Sequence, residues 1–350
     1  MSSKEKWIFD GWVGSVAFNL VLLTVLFTLL LVSLKIGRYP VSVGQIVHIL
    51  ASTPFLNAKR DGTNTVWIVL ELIRLPRVLV VCLCGAALGM SGAAMQGTFR
   101  NPLVGPEITG VTAAASFGGA LGILLGFSPL GTVASAFAWG MVGTAGTLLV
   151  SSLAPRSGTL GFILVGVILG ALFSALVGLV ESLADPATSL PNIVYWLLGG
   201  FGSADYRSVA IVAGAVSVAG PLLLLLSWRI NLLSLSQTDA QSLGANVTAL
   251  RWGVVALVTL LVAAQVSVSG GVGWVGFVIP HFARMIVGPE HSRLLPTSAG
   301  LGAVYLLTMD DLARTLSRQD IPISLLTASI GAPLFIVFFW RLQIRGWSRD

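Results

Sequence analysis

The sequence predicts an all-α, polytopic membrane protein of about ten membrane-spanning helices. Hydrophobic residues fill 55% of its 350 positions and charged residues only 10%, where a soluble domain carries about 25% charged residues. Mean hydropathy is +0.91. The few charges gather in short clusters between apolar runs of roughly 17–25 residues, the length a helix needs to cross a bilayer. One such run carries Gly85, Gly89, Gly92 and Gly97, and small residues at helical spacing let neighbouring helices approach backbone to backbone.

The first span lies near 13–34, after Lys4 and Lys6. It is too long for a signal-peptide core and lacks a small-residue cleavage site just after it, so it reads as an uncleaved span. The second lies near 77–97, inside the stretch Arg74–Gly110. Its glycines, with polar Gln96 near the end, describe a helix wrapped by other helices rather than a lipid anchor. Arginines close it on both sides, and a turn with Pro102 and Pro106 follows. The third span lies near 108–126 and is glycine-rich; the fourth and fifth lie near 130–154 and 160–184. The sixth lies near 206–227 and the seventh near 252–270, with a break at Gly270-Gly271-Val272-Gly273. The eighth, near 274–288, is short and interrupted by Pro280, and the ninth and tenth lie near 294–313 and 322–341.

Three connections exceed a turn. Residues 35–76 read as a polar loop, and 185–205 as a loop ending in a short helix against the bundle. Residues 229–251 carry helix punctuation: Ser236 or Thr238 as cap, Asp239 in the first turn and Gly244 as the stop. That segment, with apolar Leu235, Ala240 and Leu243, reads either as a dock for another protein or as an interfacial loop resting on lipid. Residues 1–350 form one transmembrane domain on this reading. VGPE at 104–107 and 287–290 is too short to establish a repeat.

Topology is only half legible. Trp7, Trp12, Trp228, Trp252, Trp340 and Trp347 fall at span ends on one side, as an interfacial belt does. An even span count puts both termini on one side. Counting Lys and Arg then gives ten on that side and nine on the other, which chooses no orientation.

Several functions are excluded by what the chain lacks. Its pI near 9.8 and net charge of +6 come with no basic stripe interleaved with aromatics, so nucleic acid is not the partner. His48, His281 and His291 have no metal-ligand spacing. There is no G-x-S-x-G elbow and no phosphate-binding G-x-x-x-x-G-K-[ST], so neither hydrolysis nor ATP binding is expected of this chain. No metal or cofactor is expected. Cys82 and Cys84 point to different sides of a helix and read as packing residues. Ion-coupled carriers commonly bury carboxylates or histidines at mid-span. Here Glu107, Glu181, Asp310 and Asp311 are placed near span ends, and Arg284 is the deepest charge.

The motifs resemble one family. RLPR (74–77), GAALGMSGAAMQGTFRNPLVGPEITGV (85–111), SLGANV (242–247), GWVGFVIPHFARMIVGPEHSRLLP (273–296), DDLART (310–315) and IPISLLTASIGAP (321–333) are similar to FecCD-type permeases, the membrane subunits of ATP-binding-cassette importers for iron chelates, haem and cobalamin. The resemblance covers most of the chain in order. It implies the ten-span architecture of type II importers, with both termini cytoplasmic in the inner membrane. It implies a permease dimer, homo- or heteromeric, with two separate ATPase subunits and a substrate-binding protein as partners, and an iron complex (siderophore or haem) as cargo, with cobalamin or another metal chelate as the alternative. Arg74, Arg77 and Arg314 resemble the outer arginines that receive acidic residues of the binding protein, for which a bidentate guanidinium is suited. Asn101 and Leu103 resemble residues of a cytoplasmic gate. Asp239, Ser242, Leu243, Gly244, Ala245 and Asn246 resemble part of the coupling helices that sit on the ATPase. The fifth span and Pro191–Gly202 resemble the lining of the pathway.

Overall fold

A computed structural model describes residues 11–52, 65–153, 158–233, 240, 242–244 and 246–346, and every regular element among them is helical. In chain order these are α1 (Gly11–Lys35), α2 (Val43–Ser52), α3 (Thr65–Phe99), α4 (Val111–Leu124), α5 (Pro129–Leu153) and α6 (Gly158–Leu183). There follow α7 (Ser189–Leu197), α8 (Tyr206–Leu225), α9 (Ser227–Leu232), α10 (Val247–Ser269), α11 (Val275–Val287), α12 (His291–Thr315) and α13 (Ile323–Gly346). Each segment read as a span coincides with a helix. Six of these, α1, α3, α5, α6, α8 and α10, are long and apolar enough to cross a membrane. α4, α11 and the Ile323–Val337 part of α13 are shorter apolar helices. α12 has the length but carries Arg293, Asp310, Asp311 and Arg314. Six spans therefore stand on length and composition alone, fewer than the ten expected.

The polar loop expected over 35–76 contains α2 and the first turns of α3. Helix continues through Pro76 because residues Ile68–Arg74 form a π-helical stretch, in which the Leu75 N–H bonds the Leu70 carbonyl rather than that of Glu71. A proline inside an α-helix clashes with the carbonyl four residues back and leaves it unpaired; widening the preceding turn relieves both problems. At 185–205 a helix does form, but at Ser189–Leu197, earlier than the run of glycines suggests.

Burial divides the helices. In the most apolar window of α3, 78% of residues are buried, against 11% in α1 and 17% in α6. α3 is thus the central element, and α1 and α6 turn wide apolar faces outward. Its packing is set by glycine. A Cβ on Gly85 would overlap the Gly302 carbonyl of α12, one on Gly89 the Ser298 carbonyl, and one on Gly92 the Gly276 carbonyl of α11. A second, smaller core joins α4, α5, α6 and α7, where Phe117 meets Trp139 edge-on at 4.9 Å and Phe173 at 6.0 Å. Polar bonds stitch the bundle, as between Thr259 and Thr144 (3.2 Å) across α10 and α5.

The break at Gly270 occurs as expected. Its φ of 69° is left-handed, and a side chain there would overlap the Trp196 carbonyl. The chain crosses α7 closely enough for Gly200 N to donate to Ser269 O (2.8 Å) and Ile323 N to Gly199 O (3.0 Å).

Gly92→Ala should lower the thermal unfolding midpoint strongly or abolish recovery of folded protein in detergent, since backbone must separate from backbone to fit it, at a cost of about 1–3 kcal/mol or more. Gly214→Ala in α8, where a Cβ meets nothing within 4 Å, should leave the midpoint unchanged or slightly raised.

Candidate functional site

The antiparallel packing of α3 on α12 brings the two ends of Arg74–Gly110 into different chemistry. At the first end, α1 and α12 finish beside the start of α3. Arg77 donates from Nε (3.1 Å) and Nη2 (2.8 Å) to Asp310, and from Nη1 to Asp320 (2.6 Å). Arg314 pairs with Asp311 and with Asp310 (3.1 Å), and donates to Ser33 Oγ (2.7 Å). Ser33 Oγ in turn donates to Asp311 (2.7 Å). Among the described residues Arg74 meets no acid. It donates to the carbonyls of Leu34 (2.8 Å), Lys35 (3.2 Å) and Tyr39 (2.6 Å), so it caps the carbonyl end of α1, where the helix dipole favours a cation. Gly37 makes room for it, because a Cβ there would meet the guanidinium.

The three arginines that the sequence singles out are therefore gathered at one end, but turned inward. Arg74, Arg77 and Arg314 are 5%, 8% and 9% exposed. Their hydrogen bonds run to carbonyls, a hydroxyl and carboxylates of the chain itself. Among the described residues, Lys35, Arg38 and Arg318 face outward beside this cluster. Arg38, with its side chain 63% exposed, reaches Asp320 at 3.4 Å. A cavity of about 650 Å³ opens between Gly37, Arg38, Arg314, Leu316 and Arg318. Asp310, which the sequence reading places only as a span-end acid, and Asp320, which it does not name, hold the cluster together. The Asp310/Arg314 spacing of four residues on one helix is the available signal; nothing in the sequence announces Asp320 or Ser33.

At the opposite end, α3 stops at Arg100, which takes the left-handed conformation (φ 49°) and donates to the Leu233 carbonyl. Asn101 and Leu103 form the turn that follows, the Leu103 N–H donating to Asn101 Oδ1 (2.9 Å). Leu103 is exposed, and the Pro102 carbonyl is 3.0 Å from His281 Nε2. The chain then turns back into the bundle. Pro106–Thr109 form a 3-10 helix whose Ile108 carbonyl lies against Gly166, well inside α6, and whose Pro106 ring lies against Gly276 of α11. Thr147 anchors it by donating to the Thr109 carbonyl (2.8 Å). Glu107, expected near a span end, instead sits on this re-entrant turn and is exposed. Beside it Gln96 joins α3 to α11, accepting from Arg284 (2.9 Å) and donating to the Phe277 carbonyl (3.2 Å).

Of the predicted coupling residues, Asp239 and Ala245 lie outside the described residues, as do Leu235, Ser236 and Thr238. Ser242, Leu243 and Gly244 are exposed, and Gly244 has the left-handed φ (79°) of a helix stop. Ala240 is buried. Asn246 has a structural task as well: its side chain caps α10, accepting from Ala249 N at 3.0 Å. Leu243, Gly244 and Asn246 share a cavity of about 610 Å³ with Trp228, Arg229 and Leu232. Among the described residues no group of three His, Cys, Asp or Glu side chains is placed to hold a metal.

Comparison with known proteins gives one consistent result. The model of the FecCD transport family matches residues 23–341. A molybdate import permease of Haemophilus influenzae is 44% identical over 332 residues, covering 95% of this chain and 97% of that one. A probable iron chelatin permease of Helicobacter pylori is 39% identical over 276 residues, covering 79% and 83%. A solved structure described as an inward-facing conformation of a metal-chelate type ABC transporter superposes with a TM-score of 0.84 at 41% identity, covering 93% and 99%.

Asp310→Asn should destabilise the protein by about 3–5 kcal/mol, because Arg77 and Arg314 both lose a buried counter-charge. The unfolding midpoint in detergent checks this. Arg38→Gln, at an exposed pair, should move stability by under about 1 kcal/mol.

Proposed function

Because the chain belongs to the FecCD transport family and is an ABC importer permease, we propose that it moves a molybdate-class oxyanion or a metal chelate across the inner membrane, taking it from a binding protein. Two copies, or this chain and a related one, form the pathway, and two separate ATPase subunits supply the energy. All ten predicted segments cross the bilayer, with both termini and the Asn101 turn on the cytoplasmic side and the arginine cluster outside. The chain carries out no bond chemistry. Family members leave hydrolysis to partner subunits, and this sequence has no phosphate-binding loop.

The observation that carries this reading is the different chemistry at the two ends of α3. Outside, the buried arginines support a docking face: Arg74 and Arg314 hold the carbonyl end of α1, while Arg77 ties α3 to Asp310 and Asp320. That rigid frame presents Lys35, Arg38 and Arg318 to acidic residues of the binding protein, and exposed charges of this kind chiefly speed and orient docking. Inside, Asn101 and Leu103 narrow the exit. The segment through Ser242, Leu243, Gly244 and Asn246, with Asp239 and Ala245, fits into the ATPase and passes its closure on to α9 and α10 as a rigid-body movement. The outward apolar face of α6 and the α7 region line the route between copies.

For cargo, the iron complex expected from the sequence is supported by the iron chelatin relative. Molybdate is supported more strongly, since that relative is more similar (44% against 39%) and matches over 95% rather than 79% of this chain. An ion-coupled carrier is disfavoured by Asp310 and Asp311, whose charges are committed to arginines.

Two experiments check these assignments. Uptake into proteoliposomes with the cognate binding protein, tested against molybdate, tungstate, ferric siderophores and haem, should follow molybdate and require ATP; ATP-independent uptake would sink the importer reading. Arg38→Glu with Arg318→Glu should slow binding-protein association at least tenfold at low salt and leave the unfolding midpoint unchanged, whereas a proline at Leu243 should uncouple ATP hydrolysis from uptake.

A further inference from the structure

The end of the bundle that carries Asn101 holds a cavity of about 670 Å³, separate from the docking and coupling cavities and bordered by the gate turn at Asn101. Gln96, Arg100, Asn101, Asn231, Arg284 and His291 line it. Arg284 is half-buried on α11, and its recorded hydrogen bond is the one to Gln96 Oε1 at 2.9 Å. No carboxylate lies within ion-pair distance of it among the described residues. This separates it from Arg77, Arg293 and Arg314, each of which pairs with an acid. The acid on the lining, Glu290, is engaged elsewhere: Ser292 donates to it at 2.6 Å and Arg293 at 2.8 Å, which holds its carboxyl below the usual range. Gln96 cannot neutralise Arg284, since it offers only an amide oxygen. A guanidinium in a low-dielectric wall without a counter-charge is costly, and the cost falls when an anion enters beside it.

We propose that this cavity binds a tetrahedral oxyanion of the sulfate, phosphate or molybdate class, with Arg284 as its principal ligand and Arg100 and Asn101 at its mouth. A planar guanidinium donates two parallel N–H bonds to two oxygens of such an anion, a geometry chloride cannot use. The second consequence follows from Asn101. Its Oδ1 fixes the Leu103 turn, and the neighbouring Pro102 carbonyl meets His281 on α11. An anion between Arg284 and Asn101 therefore bridges α11 to the gate turn from behind and holds that turn against the bundle. Anion binding requires none of the transport assignments. Only its effect on uptake, a cytoplasmic brake on import, rests on the orientation proposed above.

The test is thermal unfolding of the full-length chain in detergent, in sodium molybdate or sodium sulfate against sodium chloride at matched ionic strength. Both oxyanions should raise the midpoint by about 2–4 °C at a ten- to hundredfold excess over their dissociation constants. Sulfate also stabilises proteins generally by exclusion from their surface, so the comparison with variants decides. Arg284→Gln should lose the excess shift and Arg284→Lys keep part of it. If Arg284→Gln does not fold, Arg100→Gln at the exposed mouth should raise several-fold the molybdate concentration needed for a given shift. Equal shifts in chloride, or shifts unchanged in these variants, overturn the site. Loss of the shift whenever the ATPase subunits are bound also overturns it, since the pocket then belongs to that interface. With the site established, molybdate on the ATP side of proteoliposomes should reduce wild-type uptake at least threefold; undiminished uptake overturns the brake and leaves the site standing.

Discussion

Backbone contact between α3 and its neighbours is the constraint on which the molecule rests. Lipid tails are as apolar as leucine, so helices in a bilayer gain little from burying apolar side chains against one another; close approach and polar bonds hold them. Gly85 and Gly302 meet carbonyl to α-carbon in both directions, Gly89 lies on Ser298, and Gly92 on Gly276. These contacts set the antiparallel register of α3 and α12. Given that register, Arg77 at one end reaches Asp310, and Gly97 at the other lies against His291. A shift of one helical turn would part both pairs. The glycine seam and the chemistry at the two mouths are thus one arrangement.

The ends solve their electrostatics in opposite ways. At the arginine end Arg38, Arg77 and Arg314 face Asp310, Asp311 and Asp320, and Arg74 uses the carbonyl end of α1. Buried ion pairs gain little net stability when intact and cost much when broken. Their value here is geometric: five chain segments are held in one register, and the outward cations stand on a frame that does not yield. At the other end Arg284 has a neutral partner, Arg251 rests 5.7 Å over the Phe99 ring, and the chain re-enters the bundle through Pro106–Thr109. An end with spare positive charge and a strained turn is the more responsive of the two.

Local features of the sequence are reliable where short-range physics governs. The glycine spacing in α3, the break at Gly270, the stop at Gly244 and the limits of most helices follow from neighbours within a turn or two. The extension of α3 back to Thr65 escapes the sequence because Pro76 reads as a boundary, and the π-helical turn that accommodates it has no signature in composition. The inward orientation of Arg74, Arg77 and Arg314 escapes it for another reason. A charged residue at a span end looks solvent-facing until its partners are known, and those of Arg77, Asp310 and Asp320, lie more than two hundred positions away. Glu107 reads as a span-end residue because a loop after a helix is assumed to leave the bundle.

By itself the sequence determined the class of protein, the positions of its apolar helices and the segment around which they pack, since these depend on composition and on spacing along one helix. Only the tertiary structure decided which arginines are scaffold and which face outward, that the RNPLVGPE turn folds back inside, and that Arg284 borders a cavity without a counter-charge. Those properties depend on which residues meet across the bundle and how much water they keep, and neither is written at any single position along the chain.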